Sequence, residues 1–153
     1  MPFIVNVPRY ALQNGDHKYA SPCVLIQITD PGTDFIKPFH EFVEIYRFEF
    51  FDIDGTETGV LSELSEYAFS ADDPNRIANI LQNALKNDYN VVCSCMMGLC
   101  RSGAVADVAH LIGFQDTGMP RMPNVLVKNR LKKALGLEVD YNEVFKFQLP
   151  EWE

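Results

Sequence analysis

The 153-residue chain predicts a single α/β domain, a mainly parallel central sheet flanked by helices, with any site at the carboxyl ends of its strands. Three observations lead there. The run Cys23-Val-Leu-Ile-Gln-Ile28 suits a strand, and Asp30-Pro31-Gly32 closes it with a turn. Ile77, Ile80, Leu81, Ala84 and Leu85 recur at i, i+3, i+4, i+7 and i+8, one apolar face of a helix. Val91-Val92 follow the turn-like Lys86-Asn87-Asp88, and beyond Arg101 the residues Ala104, Val105, Val108, Ala109, Leu111 and Ile112 cover most of a helical wheel. A buried strand therefore feeds a buried helix, and the helix before it makes a crossover between parallel strands.

The elements follow in order. Phe3 to Val7, interrupted by Asn6 and closed by Pro8, reads as an edge strand. Arg9 to Pro22 is polar and reads as irregular. Between Phe39 and Phe51 the density of Phe42, Val43, Ile45, Tyr46, Phe48, Phe50 and Phe51 favours strand over helix. Gly59 to Ser70 reads as a loop with a short helix at Leu61 to Tyr67. Asp73-Pro74 marks a helix start, with Asp73 as N-cap and Pro74 as first helical residue. Gly113 to Pro120 reads as a loop. Asn124 caps a last helix from Val125 to Leu135, stopped by Gly136 with Leu137 closing over it. The tail from Glu138 to Glu153 carries Tyr141, Val144, Phe145, Phe147, Leu149 and Trp152 among acids, and packs either on the body or on another subunit, so the oligomeric state stays open.

Composition narrows the function classes. A net charge of −8 argues against non-specific binding to nucleic acid or to an anionic membrane, so a substrate anion needs a local positive site. No stretch is long and apolar enough to span a bilayer, and the N-terminus has no signal-peptide pattern. Four cysteines, three of them within Cys93 to Cys100, do not form a secreted disulfide framework, and a reducing cytoplasm is expected. Their C-x-C and C-x4-C spacings do not match a zinc site, and His17, His40 and His110 are scattered, so no metal or other cofactor is expected. Arg121, Lys128, Arg130, Lys132 and Lys133 form the one basic region, mostly a solvated helix face, from which Arg121 or Lys128 is placed to border an anion pocket.

The chemistry concentrates in Val91-Val-Cys-Ser-Cys-Met-Met-Gly-Leu-Cys-Arg-Ser-Gly103. A strand, a short loop and a helix N-terminus aim successive amides at one point, so the backbone of Met96, Met97, Gly98, Leu99 and Cys100 would cradle a dianion. Cys95 at the mouth is the nucleophile, since such a cradle favours thiolate over thiol. Arg101 grips two equatorial oxygens of a phosphoryl group, Gly98 supplies positive φ, and Ser102 donates toward the sulfur. Under oxidation, Cys93 or Cys100 would bridge reversibly to Cys95. The competing reading makes Cys93, Cys95 and Cys100 small core hydrophobes.

Cys95, Gly98, Arg101 and Ser102 in the spacing C-x-x-G-x-x-R-S resemble the signature loop of the cysteine-dependent protein tyrosine and dual-specificity phosphatases, and the chain is similar to small bacterial and phage phosphatase-like proteins. The resemblance covers Phe42 to Leu135 and departs from the family at Ser94, where a histidine is usual. It implies a cysteine-phosphatase-like fold and hydrolysis of a phosphate monoester, on a protein or a small molecule, through a phosphocysteine on Cys95. Arg101 then binds phosphate and Ser102 assists breakdown of the intermediate. Phe50-Phe51-Asp52-Ile53-Asp54 resembles the family's strand-to-loop segment that carries the general acid, with Asp52 first choice and Asp54 second. Two rival readings stand beside it. One is a non-catalytic phosphate-binding pseudophosphatase. In the other, Asp52-Ile-Asp-Gly-Thr56 resembles the first motif of the magnesium-dependent haloacid dehalogenase-type phosphatases, with Asp52 as nucleophile.

Overall fold

The computed structural model describes residues 1–16, 19–53, 69 and 72–139. It is a single α/β domain around a five-stranded sheet in which every pairing is parallel. The elements in order are β1 (Phe3–Pro8), α1 (Arg9–Asn14), β2 (Cys23–Thr29), β3 (Ile45–Glu49), α2 (Asp72–Asn87), β4 (Asn90–Cys95), α3 (Arg101–Leu111), β5 (Gln115–Asp116) and α4 (Val125–Ala134). The strand order is β3-β2-β4-β1-β5. Among the described residues no helix is long and apolar enough to cross a membrane.

Strand alternation sorts side chains onto two faces. Ile4, Val24, Ile26, Ile28, Phe48, Val91, Cys93 and Cys95 point to the face covered by α2, α3 and α4, where Ile77, Leu81, Val105, Val108, Val127 and Leu131 meet them. Val5, Val7, Cys23, Leu25 and Val92 point to the other face, covered by Leu12 of α1 with Tyr19, Ile36 and Phe42. Every residue of β2 is buried, as a strand in the interior of a parallel sheet requires. The expected apolar face of α2 is buried at Ile77, Ile80, Leu81 and Ala84, with Leu85 half-buried. In α3 the residues from Arg101 to Ala106, with Val108 and Ala109, are all buried, so its first turns have no solvent face.

Several local expectations need correction. Phe3–Pro8 is not an edge strand: β4 lies on one side of it, and two residues of β5 on the other. Its Pro8 stands at the last pairing position, where the missing N–H costs the ladder least. Arg9–Asn14 is helical rather than irregular, because Ala11 and Leu12 bury against the sheet and Gly15, at φ 71°, ends the helix. Of the aromatic stretch only Ile45–Glu49 pairs as strand. Residue 115 joins the sheet, since Gln115 N–H donates to Pro2 O at 2.9 Å within the stretch read as a loop. Helix α2 starts at Asp72, so Asp73 and Pro74 lie in its first turn. Helix α4 ends at Ala134, and there the turn is as expected: Leu137 N–H donates to Lys132 O at 2.8 Å and Gly136 N–H to Lys133 O at 3.1 Å. The loop and short helix placed at 59–70 lie, apart from Phe69, outside the described residues, as does the tail beyond Val139 and with it Asp54 and His17.

The topology matters for the site because β4, the last long strand in sequence, is inserted between β2 and β1. Its carboxyl end is therefore flanked by the carboxyl ends of both neighbours, and whatever follows Pro8, Thr29 and Cys95 is brought to one rim.

Candidate active site

Strand β4 ends at Cys95 and helix α3 begins at Arg101, so Met96 to Cys100 must turn the chain through a single loop. The loop is held by its carbonyls, which face outward. Met96 O accepts from Arg9 N–H at 3.3 Å, Leu99 O from Met122 N–H at 3.0 Å, and Cys100 O from Asn124 N–H at 2.9 Å and Ala104 N–H at 3.0 Å. Gly98 O accepts from the buried Asn6 side chain at 2.7 Å, and the same Nδ2 donates to Pro120 O at 3.0 Å. With the oxygens turned out, the amides of Met97 to Arg101 donate to no acceptor among the described residues. That is the polarity an anion cradle needs. Gly98 has φ 71° and lies against β1 so tightly that a Cβ would sit 2.4 Å from Pro8 N and Val7 C, so no other residue fits there unshifted.

Cys95 is 3% exposed, and its Sγ lies 3.1 Å from Ser102 Oγ and 3.5 Å from the Ser102 amide. Sulfur, hydroxyl and amide thus meet at the N-terminus of α3, and a thiolate there receives two donors and the positive end of the helix. Ser94, on the opposite pleat, is buried at 4%.

Arg101 is 4% exposed, and sequence reasoning sought its anionic partner outside the chain. The chain supplies one. Arg101 Nη1 donates to Asp30 Oδ1 and to Phe50 O, both at 2.8 Å, while the Nε–Nη2 edge has no partner among the described residues. The guanidinium is therefore oriented by the ends of β2 and β3, with one bidentate edge left for an oxyanion. A cleft beside it is lined by Arg9, Thr29, Asp30, Thr33, Met96 and Arg101. Arg9 is tied there through Nη2 to Asp34 O at 2.9 Å.

Asp52 is exposed near Cys100 and accepts from Asn124 Nδ2 at 2.6 Å. The Cys100 thiol lies near the Asp52 carboxylate; burial and this neighbouring charge push the thiol up to about 11, so it stays neutral. Asp54, the second choice for the acid, lies outside the described residues.

Sequence reasoning missed Asp30, Asn6 and Arg9, and saw Asn124 as a helix cap and, with Pro123, as resembling a Pro-Asn pair that follows the signature helix in related bacterial proteins, without giving it a role at the site. A signal existed for Asn6, a polar residue breaking an otherwise apolar strand. None existed for Asp30, whose turn chemistry accounts for it fully. Two other expectations are corrected. Arg121 and Lys128 do not face the loop: Arg121 binds Asp107 at 2.8 Å and Asp116 at 2.7 Å, and Lys128 binds Asp107 at 3.2 Å. Cys93 shares a pleat with Cys95 two residues away, so their Cβ atoms point the same way about 6.6 Å apart along the strand, beyond the roughly 3.5–4.5 Å that a disulfide needs, and a bridge would distort the ladder. Its thiol is pushed up by complete burial. Among the described residues no group of three or more His, Cys, Asp or Glu side chains is placed to hold a metal ion. No protein-family model matches the chain, and no curated protein matches it significantly.

Proposed function

We propose that the chain is a cysteine-dependent phosphatase of the tyrosine and dual-specificity type, which hydrolyses phosphate monoesters through a phosphocysteine. The carrying observation is the meeting of Cys95 Sγ with Ser102 Oγ and N at the end of a loop whose carbonyls at Met96, Gly98, Leu99 and Cys100 accept from the surrounding chain. The Cys95 thiolate attacks phosphorus, the S–P bond forms as the O–P bond to the leaving group breaks, and Asp52 gives that oxygen its proton. Asp52, now a carboxylate, takes a proton from water as the water oxygen attacks phosphorus, the S–P bond breaks and inorganic phosphate leaves. The loop amides of Met97 to Arg101 and the Nε–Nη2 edge of Arg101 stabilise the equatorial oxygens, and Ser102 stabilises the departing sulfur. Four free cysteines suit a reducing cytoplasm, which keeps the nucleophile reduced. The substrate is a phosphorylated protein or a small phosphorylated molecule.

Turnover of an aryl phosphate that survives EDTA and is abolished by iodoacetamide and by Cys95→Ser supports this reading. Turnover that needs magnesium and survives Cys95→Ser overturns it in favour of the haloacid dehalogenase-type reading. The fold already disfavours that alternative, because Asp52 follows β3, the third and an edge strand, whereas that family uses its first. A second reading, the phosphate-binding pseudophosphatase, is favoured by Ser94 in place of histidine and by the hold of Asp30 on Arg101. Phosphate binding with no turnover in wild type or Cys95→Ser would select it.

A further inference from the structure

Helix α4 begins with a residue that does more than cap it. Asn124 is 4% exposed and uses every hydrogen-bonding group it has. Its Nδ2 donates to Asp52 Oδ1 at 2.6 Å and to Ile53 O at 3.1 Å, and its Oδ1 accepts from Val127 N–H at 3.0 Å. Its backbone N–H donates to Cys100 O at 2.9 Å, and its carbonyl accepts from Lys128 N–H at 3.0 Å. The amide orientation is unambiguous, because a flipped group would set oxygen against a carboxylate and a carbonyl, and nitrogen against an N–H. Its buried side chain thus ties the segment after β3 to the start of α4, and its backbone N–H adds the loop before α3. A helix cap needs only the Val127 bond. The side-chain bonds to Asp52 and Ile53 serve another purpose.

We infer that Asn124 is the positioning residue of the reaction's general acid: it fixes the Asp52 carboxyl against the Cys95–Arg101 loop and dictates which of its oxygens carries the proton. The inference rests on the phosphatase reading. An amide N–H can donate but never accept, so the Asp52 oxygen that faces it cannot bear the acid proton. The proton is confined to Oδ2, the oxygen that Asn124 leaves for the leaving group. Because Asn124 is also bonded to Cys100 O, a shift of the loop carries the acid with it, and the distance between acid and nucleophile is conserved. A residue that acts on the acid alone has a distinctive signature. Leaving groups that need protonation should suffer when it is lost, and those that depart unaided should not.

The test uses Asn124→Ser, which keeps an N-cap oxygen but is too short to reach Asp52. Phenyl phosphate, whose leaving group needs a proton, is compared with 2,4-dinitrophenyl phosphate, whose leaving group does not. The expected result is a loss of about 10- to 100-fold in kcat on phenyl phosphate, part of what general acid catalysis supplies. Turnover of the dinitrophenyl ester should change by less than about threefold, and the alkaline limb of the kcat–pH profile should flatten, as it should in Asp52→Asn. Equal losses on both esters, or no loss on either, overturn the inference and leave the phosphatase reading standing. Absence of turnover by wild type on both esters overturns the phosphatase reading and takes this inference with it. Should Asn124→Ser fail to fold, Asn124→Asp decides, since it retains the cap and faces Asp52 with a second carboxyl. Two carboxyls at that distance share a proton, so the alkaline limb should move up by about a unit or more. An unmoved limb overturns the inference.

Discussion

Replacing Gly98 by alanine separates two costs that the loop combines. Alanine at φ 71° carries the left-handed backbone penalty of about 1–2 kcal/mol. It also places a Cβ 2.4 Å from Pro8 N and Val7 C and 2.8 Å from Val7 O, all backbone atoms of β1 that cannot rotate away. Relieving that overlap means moving the loop off the strand and stretching the Asn6 bond to Gly98 O, an overpacking cost of about 1–3 kcal/mol. The sum is about 2–5 kcal/mol, centred on about 3.5. For a domain of this size each kcal/mol lowers Tm by about 2–4 °C, so Gly98→Ala should melt about 10 °C below wild type. Gly136 is the internal control: its φ is 73° and a Cβ there meets nothing within 4 Å among the described residues, so Gly136→Ala should lose about 1–2 kcal/mol and about 2–8 °C. Differential scanning calorimetry of the two variants beside wild type measures the gap. If Gly98→Ala melts no lower than Gly136→Ala, the loop is not packed against β1 as described, and the cradle argument built on that packing fails.

Other outcomes follow from the same geometry. Asp30→Asn keeps an acceptor for Arg101 Nη1 while removing one negative charge beside it, so vanadate or phosphate should bind about fivefold tighter, from about 1 kcal/mol of relieved repulsion, when measured by titration calorimetry at low salt. Weaker binding would mean that the charge of Asp30, rather than its oxygen, orients the guanidinium. Asp116 is held well below the usual carboxylate range by Arg121, which grips both its oxygens at 2.9 and 2.7 Å. A lowered folded-state pKa contributes stability above the unfolded value of about 3.9 and loses it as pH falls through the folded one. Asp116→Asn should therefore cost about 1 kcal/mol at pH 7 and progressively less below pH ~4, and urea melts showing a penalty that grows on acidification would refute the sign. Cys100, pushed up to about 11, should resist iodoacetamide at pH 8, where roughly one thiol in a thousand is ionised, and become labelled as pH climbs, a pattern that peptide mass spectrometry reads directly.

Why some of this was legible in the sequence and some was not follows from the range of each interaction. Strand, loop and helix from Val91 to Leu111 announced themselves because every cue is local: an apolar run, a glycine that must take positive φ, and a helix without a polar face. The cap at Asn124 and the turn at Gly136 were legible for the same reason. Helix α1 was not, because in six residues only Ala11 and Leu12 bury, too few to show a period. The partners of Arg101 lie 71 and 51 residues away, and those of Asn124 72 and 71, so no window of sequence contains them.

That difference bears on how the site is built. A signature loop by itself specifies amides and a sulfur, and these come from contiguous chain. Whether the arginine and the acid point where the loop needs them is decided by the insertion of β4 between β2 and β1, which brings Asp30 and the β1–α1 junction to its rim. Asn6 and Asn124 then fasten the loop from opposite sides through its outward carbonyls, at Gly98 and Cys100. Exchanging Asn6 for alanine leaves the motif intact as text and removes the side-chain anchor at Gly98, whereas exchanging Asn124 for alanine keeps the backbone bond to Cys100 and releases Asp52, so the motif's spacing does not by itself orient the groups around it.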